Sequence, residues 1–167
     1  MKTLYFALCI CIAFALGMLV PRPAPHSVAA ATTNPPSQGW NLHIDAEQHF
    51  GPAHPKEIAH HWCKAVSNGM TECQIYNSDA PDAQLVAVET IVGPDTYKSY
   101  PASEQALWHW HKTEIAKVNA TMPDTPPDQA KKIVEQIAPT YGKIWLLFDP
   151  LTTNDQPIGQ PTVTVLK

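Results

Sequence analysis

Alternating apolar and polar positions between residues 58 and 77 predict a β-hairpin in which residues 67–70 turn the chain. The length of the turn decides how the two cysteines of the hairpin face each other. A three-residue loop would place Cys63 directly opposite Cys73, close enough for a cross-strand disulfide, whereas a two-residue loop would offset them. The pattern alone leaves this disulfide open.

The strongest strand pattern covers residues 84–92, which are apolar on both faces and rich in Val and Ile. Such a strand is expected at the centre of its sheet. Glu89 breaks the pattern, because it shares a face with Leu85 and Ile91. An ionised carboxylate in that position is costly unless it is paired, hydrogen-bonded or bound to a metal. We therefore expect Glu89 to have a partner.

The segment after residue 100 allows two structures with different consequences. A helix is predicted over residues 101–108, with Ser103 as its N-cap. If the helix continued, His109 and His111 would lie roughly 200° apart around its axis and could not share an ion. A strand would place both on one face, about 7 Å apart. We favour the strand, because Trp, Thr, Ile and Val recur over residues 110–118.

The remaining elements complete an α+β pattern, a mostly antiparallel sheet with two or three helices packed on one face. Residues 40–50 have an ambiguous period and stay unassigned. The other predicted elements are a helical turn over 95–100, a helix over 127–138, a strand over 143–148, a loop over 149–161 and an edge strand over 162–166.

Residues 1–30 have the composition of a secretory signal peptide, because Lys2 precedes an apolar run and small residues stand at positions 28–30. An uncleaved anchor is the alternative, since the run approaches the lower limit of about 17 residues for a membrane span. Residues 31–39 are expected to be a disordered proline-rich leader, followed by one domain over 40–167. The domain is thus expected to be periplasmic or extracellular, and tethered to the membrane only if the signal is retained.

The charge of the expected mature domain restricts its partners. Removal of residues 1–30 would leave 137 residues with 9 of the 11 basic and all 15 acidic residues, a net charge of −6. An acidic domain without a Lys/Arg cluster argues against nucleic acid or an anionic membrane as partner. No integral span is expected after cleavage, and an oxidising compartment would allow a disulfide to persist.

An ordered series of motifs resembles the oil body-associated protein family, a domain of unknown function in plant seeds, fungi and bacteria. The resemblance covers the chain from about residue 41 onward and implies an association with lipid bodies for the plant members. The family has no settled catalytic activity to carry over to this chain. The export signal departs from that setting. Cytosolic relatives resemble the chain at both cysteine positions, which weakens the inference of a disulfide. The motifs are Ala59-His60-His61-Trp62-Cys63, Cys73-Gln74-Ile75-Tyr76-Asn77-Ser78, Pro81-Asp82-Ala83, Leu107-Trp108-His109-Trp110-His111 and Thr140-Tyr141-Gly142-Lys143.

Four residues from three segments are predicted to bind one divalent transition metal ion, Zn, Fe or Mn: His61, Glu89, His109 and His111. Imidazole and carboxylate are ligands that such ions favour, and a site with an open position can activate water or bind an oxygen donor. His60 would point to the opposite face and to solvent. His43, His49 and His54 are expected on the surface rather than as ligands, and of these only His49 is kept in reserve. The candidate pocket residues around the site are His49, as a reserve ligand, Trp108 and Trp110.

Three functions are compatible with these residues. The first is an exported metal-binding domain, either with or without an enzymatic activity that uses water or dioxygen. The second is a non-enzymatic lipid-interface or carrier protein, whose ligand would be a small molecule or a lipid. The third is a binding module in which Glu89 and the histidines form a structural ion network without metal. Trp108 and Trp110 suit packing more than substrate binding, because tryptophan buries a large apolar area wherever it occurs.

Overall fold

The computed structural model describes residues 36–47, 49–50 and 54–165, so the expected signal peptide and most of the leader lie outside the described residues. Seven strands in this part of the chain form one sheet. They are β1 (Leu42–Glu47), β2 (Ile58–Ala65), β3 (Thr71–Tyr76), β4 (Leu85–Val92), β5 (His109–Trp110), β6 (Tyr141–Leu146) and β7 (Thr162–Thr164). The helices are α1 (Pro94–Ser99), α2 (Ala102–Gln105), α3 (His111–Glu114), α4 (Pro127–Ile137) and α5 (Pro150–Thr153).

The strand order is β1-β2-β3-β4-β6-β5. The β7 strand also pairs with β6, at residues 144–146, whereas β5 pairs with residues 141 and 142. Every strand pairing is antiparallel. The predicted α+β class and the central position of the 84–92 strand are confirmed. The unassigned segment near residue 45 forms β1, an edge strand. Among the described helices, none has the length and apolar character that crossing a bilayer requires.

The hairpin of β2 and β3 is closed by the three-residue turn Ser67–Gly69. Asn68 and Gly69 have φ angles of 61° and 69°, the left-handed backbone that Asn and Gly tolerate best. Val66 donates its N–H to the carbonyl of Met70 at 2.9 Å, which closes the loop symmetrically. In this register Cys63 lies opposite Cys73, and their sulfurs are bonded.

One face of the sheet is apolar except for the groups of the candidate site. The α4 helix covers this face with Val134 and Ile137. The register extends as a single row through five strands, in the order Leu42, Cys63, Cys73, Glu89 and Ile144. Glu89 therefore lies directly beside the disulfide.

Two predictions around residue 109 were wrong in their extent. The predicted helix over residues 101–108 is only α2, and Pro101 occupies the N-cap position instead of Ser103. The predicted strand over residues 109–118 ends after Trp110, which pairs with Tyr141, the first residue of β6. The N–H of His111 donates to Thr140 O, and the chain turns into α3.

Removal of the disulfide tests the hairpin register. We expect Cys63→Ser/Cys73→Ser to lower the free energy of unfolding by about 2–3 kcal/mol, since the bond closes a loop with a sequence separation of 10. Urea denaturation with and without reductant measures this, and only the unsubstituted chain should respond to reductant. A non-reducing peptide map in which Cys63 and Cys73 carry free thiols would contradict the pairing.

Candidate functional site

Glu89 is the centre of a buried cluster of imidazoles and carboxylates. Its Oε1 atom lies 3.2 Å from His109 Nε2 and 3.4 Å from His111 Nε2. The β4 strand positions Glu89, whereas β5 and the first residue of α3 position the two histidines. The ligand atoms of these three residues lie within 4.8 Å of one another. Three of the four predicted metal ligands therefore converge.

The helical turn of α3 adds a carboxylate that the sequence reasoning missed. Residues three positions apart lie on the same side of a helix, so Glu114 stands beside His111. Glu114 Oε2 lies 2.9 Å from His109 Nε2 and 3.8 Å from His111 Nε2. Its other oxygen lies 3.1 Å from His49 Nε2. The spacing His-x-x-Glu was the available signal, but it indicates proximity only where the backbone is helical.

Three histidines are oriented through their Nδ1 atoms. His49 Nδ1 contacts Glu47 O at 2.9 Å, and His61 Nδ1 contacts Ala59 O at 2.9 Å. Because carbonyl oxygens only accept hydrogen bonds, each of these Nδ1 atoms donates. In a neutral ring this arrangement leaves a lone pair on Nε2, as at His61, whereas Nε2 of His49 faces the Glu114 carboxylate at 3.1 Å.

The ring of His111 is oriented in a similar way by a hydroxyl relay. Thr140 Oγ1 donates to the carbonyl of Ile137 at 2.6 Å, so the same oxygen accepts from His111 Nδ1 at 2.9 Å. The Nε2 atom of His111 is thereby left facing Glu89. Metal-binding histidines commonly have this arrangement, in which the second ring nitrogen donates to an outer group.

The cluster is almost fully buried, and many of its polar atoms lack hydrogen bonds. Glu89, His109 and Glu114 are 4%, 3% and 6% exposed. Within the described residues no partner with hydrogen-bond geometry exists for His61 Nε2, for either ring nitrogen of His109 or for either oxygen of Glu114. Buried polar groups without partners are rare and costly, so their concentration around one point calls for a specific cause.

The pKa values of the buried groups indicate which of them are charged. Burial opposes a charge on His109, but contacts with Glu114 and Glu89 outweigh burial and raise the His109 pKa to about 10. Burial would raise the pKa of Glu114, yet His109 and His49 hold it at about 2. Burial likewise opposes ionisation of Glu89, and His109 with His111 hold its pKa well below the usual range. Both carboxylates are therefore ionised at neutral pH.

His61 follows the opposite trend. Burial lowers its pKa to about 4, and the neighbouring His49 acts in the same direction. The two rings contact edge to face, with centroids 4.6 Å apart. His61 is thus neutral at pH 7, and its ring lines the cavity beside His49.

An apolar cavity of about 50 Å³ opens beside the cluster. Its apolar wall includes Ile91, Ile115, Val118, Val134 and Ile137, and its polar wall includes Glu89, His111 and Glu114. Water needs roughly 10–15 Å³ of such volume, so the space suits a few water-sized groups. The cavity is far smaller than the roughly 300–1,000 Å³ of pockets for drug-sized ligands.

Gly142 makes room for the cluster. It lies opposite His109 in the β5–β6 register, on the same face as Glu89. A Cβ atom at this position would overlap Glu89 Oε1 and stand 2.5 Å from His109 Nε2. The close approach of two side chains to the backbone therefore requires glycine here.

The other predicted site residues divide into two groups. The reserve ligand His49 contacts Glu114 within the cluster, and the predicted ligand His61 lies on the cavity wall beside it. In the part of the chain that the structure describes, the two tryptophans that were predicted to form the pocket do not line the cavity. Trp108 is buried and donates to Glu104 at 2.8 Å, and Trp110 stacks with Tyr141 on the opposite face.

Two histidines expected at the surface belong to a second cluster on the opposite face of the sheet. His43 is 4% exposed, which corrects the prediction of a surface residue, and it groups with Asp45, His60 and Asp79. His60 is half-buried instead of solvent-facing. Both corrections arise from pairing with distant aspartates, which local patterns do not show.

Comparison with known proteins identifies relatives of this chain by sequence. Residues 35–166 match a family model described as protein of unknown function (DUF1264). Oil body-associated protein 1B of Arabidopsis thaliana is 33% identical over 105 residues, covering 63% of this chain and 44% of that protein. Oil body-associated protein 2A of Zea mays is 34% identical over 106 residues, covering 64% and 42%. The resemblance to this family is confirmed.

The match to these relatives is partial in length. Oil body-associated protein 2C of Arabidopsis thaliana is 29% identical over 127 residues, which cover 75% of this chain and 54% of that protein. The chain spans about half the length of the curated relatives it matches. No solved structure matches this chain.

Substitution of Gly142 tests the close packing of the cluster. In a strand, Gly→Ala ordinarily stabilises by about 0.5–1 kcal/mol. We expect Gly142→Ala to reverse that sign and to destabilise the fold by about 1–3 kcal/mol, because the methyl group overlaps Glu89.

Gly93→Ala is the matched control, since a Cβ at Gly93 meets nothing within 4 Å and its φ is −70°. Chemical denaturation of both variants measures the difference. A Gly142→Ala variant as stable as the control would show that Glu89 and His109 do not occupy the space next to residue 142.

Proposed function

The chain belongs to the DUF1264 family of proteins of unknown function, and we propose that its buried His/Glu cluster binds one divalent transition metal ion. One observation carries this proposal. Nitrogen and oxygen donors from Glu89, His109 and His111 converge within 4.8 Å, while neighbouring donor atoms in the cluster lack hydrogen-bond partners. A cation held by these three residues would satisfy Glu89 Oε1 and the Nε2 atoms of His109 and His111 together.

The separations between donor atoms suit a shared ion. Ligands at about 2.0–2.2 Å from a tetrahedral ion lie roughly 3.3–3.6 Å from one another. The Glu89 Oε1 atom lies 3.2 Å from His109 Nε2 and 3.4 Å from His111 Nε2. The Nδ1 contact of His111 supplies the outer hydrogen bond that orients a ligating imidazole.

The donor set favours Zn²⁺ or Fe²⁺ over Mg²⁺ or Ca²⁺. Two imidazoles and one carboxylate form the protein ligands of several zinc hydrolases and of non-haem iron oxygenases. A metal held this way would act as a Lewis acid toward water or dioxygen. The set leaves coordination positions free for a small molecule, as catalytic sites require.

The remaining residues of this chain would prepare the site for a small ligand. Glu114 presents its oxygens to His109 and His49, so it orients both rings at the edge of the cavity. His61 Nε2 offers an unused hydrogen-bond acceptor from the cavity wall. The apolar residues opposite limit the amount of water that reaches these groups.

The two alternative functions have weaker support. A lipid carrier needs a larger space than a cavity of about 50 Å³. A lipid-interface role rests on the names of the relatives alone. A purely structural ion network would align its imidazole donors with its carboxylates, but His109 Nε2 and both Glu114 oxygens lack that alignment within the described residues.

The disulfide across the β2–β3 hairpin supports the proposed location outside the cytosol. A disulfide such as that between Cys63 and Cys73 persists mainly in oxidising compartments. This bond adjoins Glu89 in the register and would stiffen the strand pair next to the metal.

Glu89→Gln tests the metal proposal with a change of one charge and little change of shape. The full chain, purified without an affinity tag, is titrated with Zn²⁺ and with anaerobic Fe²⁺. We expect Glu89→Gln to lose one equivalent of bound metal, or to bind it at least about 100-fold more weakly, since even outer-shell changes cost about 10–100-fold. Glu135→Gln is the control, because Glu135 is exposed on α4.

A stability measurement separates metal binding from a structural network. A metal at roughly 1,000 times its Kd should raise the free energy of unfolding of the unsubstituted chain by about 4 kcal/mol. In Glu89→Gln, metal binding at the Glu89 cluster should no longer contribute to the free energy of unfolding. Equal metal content and equal affinity in Glu89→Gln and Glu135→Gln would refute the proposal.

A further inference from the structure

A second group of metal-ligating side chains lies on the opposite face of the sheet. His43 and Asp45 belong to β1, His60 belongs to β2, and Asp79 belongs to the turn between β3 and β4. Neighbouring residues in a strand point to opposite faces, so this group is separated from His61 by the sheet. It therefore forms a cluster independent of the site around Glu89.

The β1–β2 register brings His43, Asp45 and His60 together, and the β3–β4 turn adds Asp79. Asp45 lies directly opposite His60, and His43 lies opposite Trp62. The rings of His43 and Trp62 stack with centroids 4.2 Å apart and planes at 8°, which holds the imidazole in place.

The donor atoms of the four residues lie close enough together to reach one ion. His43 Nε2 lies 3.1 Å from Asp45 Oδ1 and 3.0 Å from Asp79 Oδ1. His60 Nδ1 lies 2.8 Å from Asp45 Oδ1 and 2.9 Å from Asp79 Oδ2. One ligand atom from each residue lies within 4.8 Å of the others, and tetrahedral ligands lie roughly 3.3 Å apart.

Two further features favour a cation over ion pairs alone. His60 Nδ1 is buried and has no hydrogen-bond partner within the described part of the chain, although two carboxylate oxygens lie within 2.9 Å. The carboxylates of Asp45 and Asp79 face ring nitrogens of both His43 and His60, so one cation between them would contact all four side chains.

Asp124 acts as an outer group for His43. Its Oδ2 atom lies 2.8 Å from His43 Nδ1, which directs Nε2 toward Asp45 and Asp79. The segment that contains Asp124 is fixed to β1, because the backbone of Thr121 exchanges two hydrogen bonds with that of Asp45 at 2.9 Å. A carboxylate–histidine–metal relay of this kind orients ligands in zinc sites.

We propose that His43, Asp45, His60 and Asp79 form a second divalent cation site, selective for Zn²⁺ and structural in role. Four protein ligands of two nitrogens and two oxygens close the coordination sphere, as in structural zinc sites. The ion would fix the edge strand β1, strand β2, the β3–β4 turn and, through Asp124, the segment along β1. The first site has three converging donors and an adjoining cavity, so the two sites differ in role.

Zn²⁺ titration of the tag-free full chain tests this inference, with bound zinc measured by mass spectrometry after buffer exchange. We expect two equivalents in the unsubstituted chain and one in Asp79→Asn. Asp82→Asn in the same exposed turn is the matched control and should retain two. Asp124→Asn should weaken the second equivalent by about 10–100-fold. Circular dichroism under chelation verifies that Asp79→Asn is folded.

The variants distinguish the two sites. Glu89→Gln should remove the first equivalent and leave the one that depends on Asp79. If Asp79→Asn binds as much zinc as Asp82→Asn with the same affinity, the second site is refuted, whatever Glu89→Gln does. If zinc also quenches or shifts the fluorescence of the stacked Trp62 only where Asp79 is intact, the ion is placed at this cluster.

Discussion

The burial of the Glu89 carboxylate in the middle of the sheet is the constraint that the rest of the site satisfies. Its strand lies between β3 and β6, so solvent does not reach the charge from either side. An isolated carboxylate in that place would be neutralised or would destabilise the fold. His109 and His111 stabilise the charge, and the cluster of imidazoles and carboxylates is built outward from that contact.

Several features of the chain allow the imidazoles and the Glu114 carboxylate to lie beside Glu89. Gly142 leaves the volume that His109 and the carboxylate occupy. The short strand β5 aims His109 at that space, and the immediate change to the α3 helix brings both His111 and Glu114 to the same side. Thr140 holds the ring of His111. The disulfide next to Glu89 constrains the strand that supports it.

The sequence predicted those features that depend on local patterns. The period of two revealed the β2–β3 hairpin and the central strand, and the isolated acid on an apolar face revealed that Glu89 needs a partner. The end of β5 depends on where β6 begins, about 30 residues later, so no local pattern could define it. Glu114 was missed because its proximity to His111 requires a helix, and the burial of His43 depends on Asp124, 81 residues away.

The sheet carries a cluster of charged side chains on each face. The Glu89 cluster is the one that adjoins the cavity. The most direct test is anomalous diffraction from crystals of the full chain grown with Zn²⁺. We expect an anomalous peak about 2.0–2.2 Å from Glu89 Oε1, His109 Nε2 and His111 Nε2. No peak at that position, together with a direct hydrogen bond from His109 Nε2 to a carboxylate, would contradict it.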